Sequence, residues 1–245
     1  FCILLMLMTW AIAVRLNYYS LVDAVWAYGI GAIALVYVIF GEGDFNKKAF
    51  VLVFALLWSV RLGTHLAVRL SAHYPEEDKR YLQLKEKWGK GKFLLFFLFQ
   101  GVSQLLFALP FLFLSQDTSS DLSVFALMGT MLFAVGFVGE SLADWQLARF
   151  RHSLVNKERV CNTGLWRYSR HPNYFFEWLI WCGISLAALS SPNGYIGLIS
   201  PILMYLTLNY LTGVPAAEMQ SLKSKGDLYR EYQKTTNRFF PGSSS

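Results

Sequence analysis

Asn173 and Glu177 stand one helical turn apart in the stretch GLWRYSRHPNYFFEW, Gly164 to Trp178, at the point where a basic segment enters an apolar run. Pro172 suits the first turn of a helix, where its missing N–H costs nothing. Such a turn offers unpaired N–H groups and a partial positive charge, a ready anion site, and Arg167, Arg170 and His171 add to that field. The segment can therefore hold something anionic at its rim. Asn173 and Glu177 can bond a polar, neutral part deeper down, such as a carboxamide, a ribose or a base edge. An anionic headgroup alone would satisfy the same rim.

Two further sets carry chemistry. Glu140, Asp144 and Arg151 lie four and seven residues apart, on one helical face. They either anchor a helix end or line a ligand pocket opening to the cytoplasm. Arg61, His65 and Arg69 are spaced by four and stack along another face. Snorkelling suits Arg69, whereas Arg61, about two turns deeper, fits a polar cavity better. Asp23 and Glu218 complete the ionisable residues within or beside apolar runs. A charge at the bilayer centre costs roughly 2.5–3.5 kcal/mol on insertion scales, so these positions are where function is sought.

The elements that must position them are apolar. Hydrophobic residues make up 55% of the 245, mean hydropathy is +0.37, and charged residues reach only 16%, against roughly a quarter in soluble domains. Apolar runs at Phe1–Val14, Ala24–Phe40, Ala49–Val60, Phe93–Leu114, Leu122–Val138, Tyr174–Leu189 and Tyr195–Leu211 predict an all-α integral membrane protein of about seven transmembrane helices. The chain is read as a single multi-pass domain over 1–245, with an amphipathic interfacial helix over 216–232. A net charge of +6 invites a nucleic-acid partner, but its distribution argues against one. Basic residues concentrate in Lys79–Lys92, Arg149–Arg170 and Lys223–Arg238, and the loops Ser115–Asp121 and Ser190–Gly194 have none. This alternation places the basic segments and the C-terminal tail in the cytoplasm and the amino terminus outside, with a bacterial inner membrane favoured. Lys47 and Lys48 sit on the wrong side, accompanied by Glu42 and Asp44.

Familiar catalytic devices do not appear. There is no nucleophilic Ser/His/Asp arrangement, HExxH, His-rich cluster or GxGxxG, and Cys2, Cys161 and Cys182 lack metal or disulfide spacing. No metal is expected. Gly29 and Gly31 suit helix packing.

GLWRYSRHPNYFFEW is similar to the signature of the steroid 5-alpha-reductase C-terminal domain superfamily, and most resembles its DUF1295 family. DAVW (Asp23–Trp26), WSVRLGTHLAVR (Trp58–Arg69), EDKRYLQLKEKWG (Glu77–Gly89), ESLADWQLARF (Glu140–Phe150), GVPAAE (Gly213–Glu218) and YREYQKTTNRFFP (Tyr229–Pro241) agree in order. The resemblance implies a seven-span helical fold with NADPH held on the cytoplasmic side. It implies cofactor contacts at Glu140, Asp144, Arg151, Arg159, Tyr168, Arg170, His171, Asn173 and Glu177. Two arginines near the adenine end would suit the 2'-phosphate. The substrate half departs from the steroid reductases: Leu66 stands after His65 where a tyrosine is expected, and Gly213–Glu218 replaces a basic cluster.

The expected activity is NADPH-dependent reduction of an activated, enone-like C=C bond in a lipophilic, steroid-like substrate, with membrane lipids as the other partners. His65, Arg61 and Asp23 are the candidates for stabilising the substrate oxygen and donating a proton. His65 could equally be a core histidine held by Asp23 or a backbone carbonyl. Two other readings compete. Isoprenylcysteine and phospholipid methyltransferases share the RHPxY entry and use S-adenosylmethionine, and a non-catalytic lipid-binding protein would bind no nucleotide.

Overall fold

The computed structural model describes residues 1–121, 123–156 and 158–243. It is helical, with no strand among the described residues. Five segments among them are long and apolar enough to cross a membrane: Leu21–Phe40, Phe45–Ala72, Lys90–Gln116, Val124–His152 and Gly194–Lys225. The first and sixth expected spans form shorter helices, α1 (Cys2–Leu16, 15 residues) and α8 (Pro172–Ala188, 17 residues). Leu122, the expected start of the fifth span, lies outside the described residues. The chain divides into two compact units, Phe1–Ser123 with Ala188–Ser200, and Val124–Ala187 with Pro201–Ser245.

The first unit contains α1, α2 (Leu21–Phe40), α3 (Phe45–His73), α4 (Lys79–Lys87), α5 (Lys90–Phe107) and α6 (Leu109–Gln116). Its third helix outruns the apolar pattern. The run ends at Val60, yet α3 continues for three more turns, because Arg61, Leu62, His65, Ala67 and Arg69 sustain a helix and Gly63, the one weak former among them, is tolerated where the Tyr28 ring packs against it. The fourth expected span is split at Ala108 for the opposite reason. Pro110 has no N–H to return to Leu106, and the Ser200 hydroxyl donates to the Leu106 carbonyl instead, at 3.1 Å. Gly29 leaves room for the fully buried Gln104 side chain, whose Nε2 donates to Trp26 O at 3.0 Å, and Gly31 leaves room for Ser59. The glycine pair thus packs helices as expected.

One end of this unit is closed by a buried ion pair. Lys47 Nζ lies 3.0 Å from Asp117 Oδ2, with both side chains 3% exposed. Ser190 accepts from the same ammonium at 3.1 Å, and Ser191 and Ser119 donate to the carboxylate. This resolves the misplaced charge: Lys47 is neutralised by Asp117, across a loop, rather than by its sequence neighbours Glu42 and Asp44. Burial acts to raise the Asp117 pKa, but hydrogen bonds from Ser119, Lys47 and Ser191 outweigh it and hold the carboxyl below its usual range.

At α4 the first unit carries a second network. Glu77 accepts from Tyr19 N at 2.7 Å, from Ser20 N at 3.0 Å and from the Ser20 hydroxyl, and pairs with Lys85 at 3.0 Å. Asp78 caps α4 through Arg80 N and also binds the Arg80 and Arg69 guanidinium groups. Glu77 and Asp78 therefore fasten the α4 segment to the start of α2.

The second unit contains α7 (Val124–His152), α8, α9 (Ile199–Leu206), α10 (Val214–Lys225) and α11 (Asp227–Thr235), with a π turn at Thr207–Leu211. Glycine lets α7 and α8 meet. A Cβ on Gly139 would strike Phe176, one on Gly136 would strike Ile180, and one on Gly183 would lie 2.5 Å from Phe133 N. Small residues at such a seam allow close backbone approach, as membrane helices require. These contacts ascend one helix while descending the other, so the pair is antiparallel. The helix expected over 216–232 is broken at Gly226, which has φ of +53°, a left-handed conformation that favours glycine. Nor does α11 rest its apolar face on lipid: Tyr229 and Tyr232 are buried inside the protein.

Candidate functional site

The antiparallel register of α7 and α8 assembles the site. Asp144 meets Asn173, whose Nδ2 donates to Asp144 Oδ1 at 3.1 Å. One turn further along both helices, the same register sets Glu140 at the level of Glu177. Both are buried, at 4% and 5% exposure. Trp181 Nε1 donates to Glu177 Oε1 at 3.0 Å and fixes that carboxylate. Four polar groups predicted from two separate stretches thus converge on one helix pair.

The loop leading into α8 is held against the end of α7. Gly164 has φ of +59°, and a Cβ there would lie 2.6 Å from the Gln146 amide. Gln146 Oε1 accepts from Leu165 N at 2.9 Å, and Trp166 Nε1 donates to Ala143 O at 3.0 Å. Gln146 in ESLADWQLARF and Trp166 in GLWRYSRHPNYFFEW carry no charge that would single them out in the sequence. Their role is to set the loop over the α7 face carrying Glu140 and Asp144. Arg151, Arg159 and Tyr168 are exposed.

Arg170 and His171 behave differently from the sequence expectation. Arg170 Nε donates to Glu218 Oε1 at 2.8 Å, Nη2 stands 2.7 Å from the same oxygen, and Nη1 donates to Gln233 O and Thr236 O at 3.0 and 2.7 Å. His171 Nε2 is 3.4 Å from Glu218 Oε1. Spacing alone aims these side chains at a ligand. The fold turns them toward Glu218 and the C-terminal segment, because a nearly buried guanidinium needs acceptors that its own loop does not supply.

Burial pushes the His171 pKa down, and the Glu218 carboxylate offsets this only in part. Arg170 is therefore the cation of the trio, and His171 contributes as a neutral ring. A histidine neutral in the folded state favours folding least in acid. Above about pH 6.5 both states are unprotonated. Below it the unfolded chain gains a proton that the folded one resists, and stability falls until the lower folded pKa is passed. Thermal unfolding in detergent should accordingly show a decline from pH 7 to pH 5 that is shallower in His171→Gln. Equal slopes would contradict the burial argument.

The three residues expected to be catalytic, Asp23, Arg61 and His65, lie in the first unit. Arg61 and His65 line an open groove of about 530 Å³ on α3, with Thr64, Val68 and Arg69. Asp23 belongs to the α4 network: Oδ2 is 2.9 Å from Arg80 Nη2, and Oδ1 accepts from the Tyr81 hydroxyl at 2.6 Å. Asp23 is thus the acceptor for Arg80 and Tyr81. Tyr81 is buried, and desolvation together with the Asp23 charge raises its pKa, keeping the phenol protonated. No group of three or more His, Cys, Asp or Glu side chains among the described residues could hold a metal ion.

Helices of this length and hydropathy define a multi-pass helical membrane protein, and buried carboxylates and an amide gather on one of its helix pairs. The chain belongs to the DUF1295 family, described as proteins of unknown function, whose profile matches residues 9–236. It is similar to an uncharacterized protein of Schizosaccharomyces pombe, 27% identical over 267 residues, an alignment covering 95% of this chain and 75% of the relative. No solved structure matches it.

Proposed function

We propose that this chain is a membrane-embedded, NADPH-dependent reductase acting on an activated, enone-like C=C bond of a lipophilic, steroid-like substrate. The observation that carries the proposal is the convergence of Asp144, Asn173, Glu140 and Glu177 on the α7–α8 seam. The donor set fits a nicotinamide dinucleotide. An amide and three carboxylates match a carboxamide and ribose hydroxyls, and the exposed guanidinium groups of Arg151 and Arg159 match a 2'-phosphate. The resemblance to the steroid 5-alpha-reductase superfamily supports the same assignment.

When bound, NADPH supplies the hydride. The protein orients the dinucleotide through Asn173 and Asp144, with Glu177 steadied by Trp181. His65 and Arg61 are assigned to the substrate oxygen, where a donor stabilises developing charge and returns a proton. Asp23 is reassigned to holding Arg80 and Tyr81. In this reading α1 and α8 complete seven crossings, the amino terminus is outside, and the site opens to the cytoplasm beside the basic segments.

Thermal stabilisation of the detergent-purified protein by NADPH, NADH and S-adenosylmethionine tests the reading. A ligand at 100 times its dissociation constant should stabilise by about 2.7 kcal/mol. NADPH should stabilise most, and Arg151→Ala or Arg159→Ala should erase its advantage over NADH. Stabilisation by S-adenosylmethionine alone would replace the reductase with a methyltransferase, and no response to any of the three would favour a lipid-binding protein.

A further inference from the structure

The segment after α10 reaches back to the loop entering α8. Arg170 N donates to Asn237 O at 2.8 Å, Ser169 Oγ donates to Phe239 O at 2.8 Å, and Gly242 N donates to Tyr168 O at 3.0 Å. The Tyr232 hydroxyl donates to Trp166 O and to Ser169 O. Phe239 and Phe240 pack their rings against Phe175 and Trp178, on the first turns of α8. Every residue from Trp166 to Arg170 except Arg167 is thus bonded to the C-terminal tail. Glu218 joins the pieces: Oε1 takes Arg170 and His171, and Oε2 accepts from Gln233 Nε2 at 3.1 Å.

We propose that Glu218 is a positioning residue: acting through Arg170, it clamps the tail 226–242 onto the Trp166–His171 loop and so sets the first turn of α8, with Asn173, in the geometry that binds the dinucleotide. This rests on the proposed function, since it concerns how the same site is held. Asn173 follows the clamped loop by two residues, so any rotation of the loop turns its amide away from Asp144. Glu218 reaches the loop through Arg170 and His171, and the tail reaches it through the loop backbone.

Equilibrium titration of NADPH into the full-length protein in detergent, well below its melting temperature, tests the clamp. Glu218→Gln should weaken binding about tenfold, equivalent to about 1.4 kcal/mol, with the far-UV helical signal unchanged, and Glu218→Asp should recover part of the loss. Arg170→Gln should weaken binding similarly, and the double variant should bind no worse than the weaker single one, because residues in one network are not additive. As a second readout in the wild type, NADPH should slow tryptic cleavage at Arg230 and Lys234 several-fold. Additive losses, or wild-type affinity in Glu218→Gln, would overturn the clamp while leaving the cofactor site standing. If either variant does not fold, cleavage of the wild type decides, and a rate indifferent to bound NADPH overturns the clamp. A wild-type protein that binds no NADPH removes the reductase reading itself, and the clamp with it.

Discussion

Lys47→Ala is expected to destabilise the first unit by about 3–5 kcal/mol, the cost of leaving one member of a buried ion pair without the other. At 3% exposure Asp117 has no solvent to turn to. Ser119 and Ser191 remain as donors, but neither supplies a charge. In detergent this should lower the unfolding midpoint by roughly 6–20 °C, taking 2–4 °C per kcal/mol for a chain of this size. The mechanism makes a second demand: Lys47→Met combined with Asp117→Leu should recover most of the loss, because removing both charges also removes the desolvation penalty. A single variant within 1 °C of wild type would mean that the pair is solvated in the folded protein.

Gly183→Leu should be comparably severe and should act on the site as well. A Cβ at this position would lie 2.5 Å from Phe133 N and 2.7 Å from Gly129 O. Both are backbone atoms of α7 that cannot rotate aside, so the helices must separate. Overpacking typically costs about 1–3 kcal/mol. Here Gly183→Ala should already reach that range, and Leu should exceed it. Since the same seam sets Asp144 against Asn173, ligand affinity should fall with stability. Gly91→Ala is the control. It is the second residue of α5 with nothing near its added methyl, so its effect should stay below about 1 kcal/mol, the full Gly-to-Ala difference of a helix interior. If Gly183→Ala and Gly91→Ala behave alike, the close approach of α7 and α8 is wrong.

These two cases also show what a sequence discloses. Apolar runs locate the helices because lipid-facing surface must be apolar. They misplace the ends where polar residues continue a helix, as from Arg61 to His73, or where Pro110 interrupts one. The four-residue spacing of Glu140 and Asp144, and of Asn173 and Glu177, is legible because each pair shares a helical face. Their meeting depends on a glycine seam that no local period announces. Spacing alone aims Arg170 and His171 at a ligand, because the acceptor they use in the fold, Glu218, is 48 residues distant from Arg170 in the chain. A hint existed: Glu218 was itself an ionisable residue next to an apolar run, needing a partner of opposite charge. Lys47 offered the same hint as an exception to the charge alternation, answered by Asp117 in the next loop on that side.

Whether the α7–α8 seam holds a nicotinamide dinucleotide is decided by direct titration of NADPH into purified wild-type protein and into Asn173→Leu. Saturable one-site binding is expected, weakened at least about tenfold by the substitution, or ~1.4 kcal/mol, with the helical content of both proteins the same. Binding that survives Asn173→Leu unchanged, or no binding to the wild type at saturating NADPH, would contradict it.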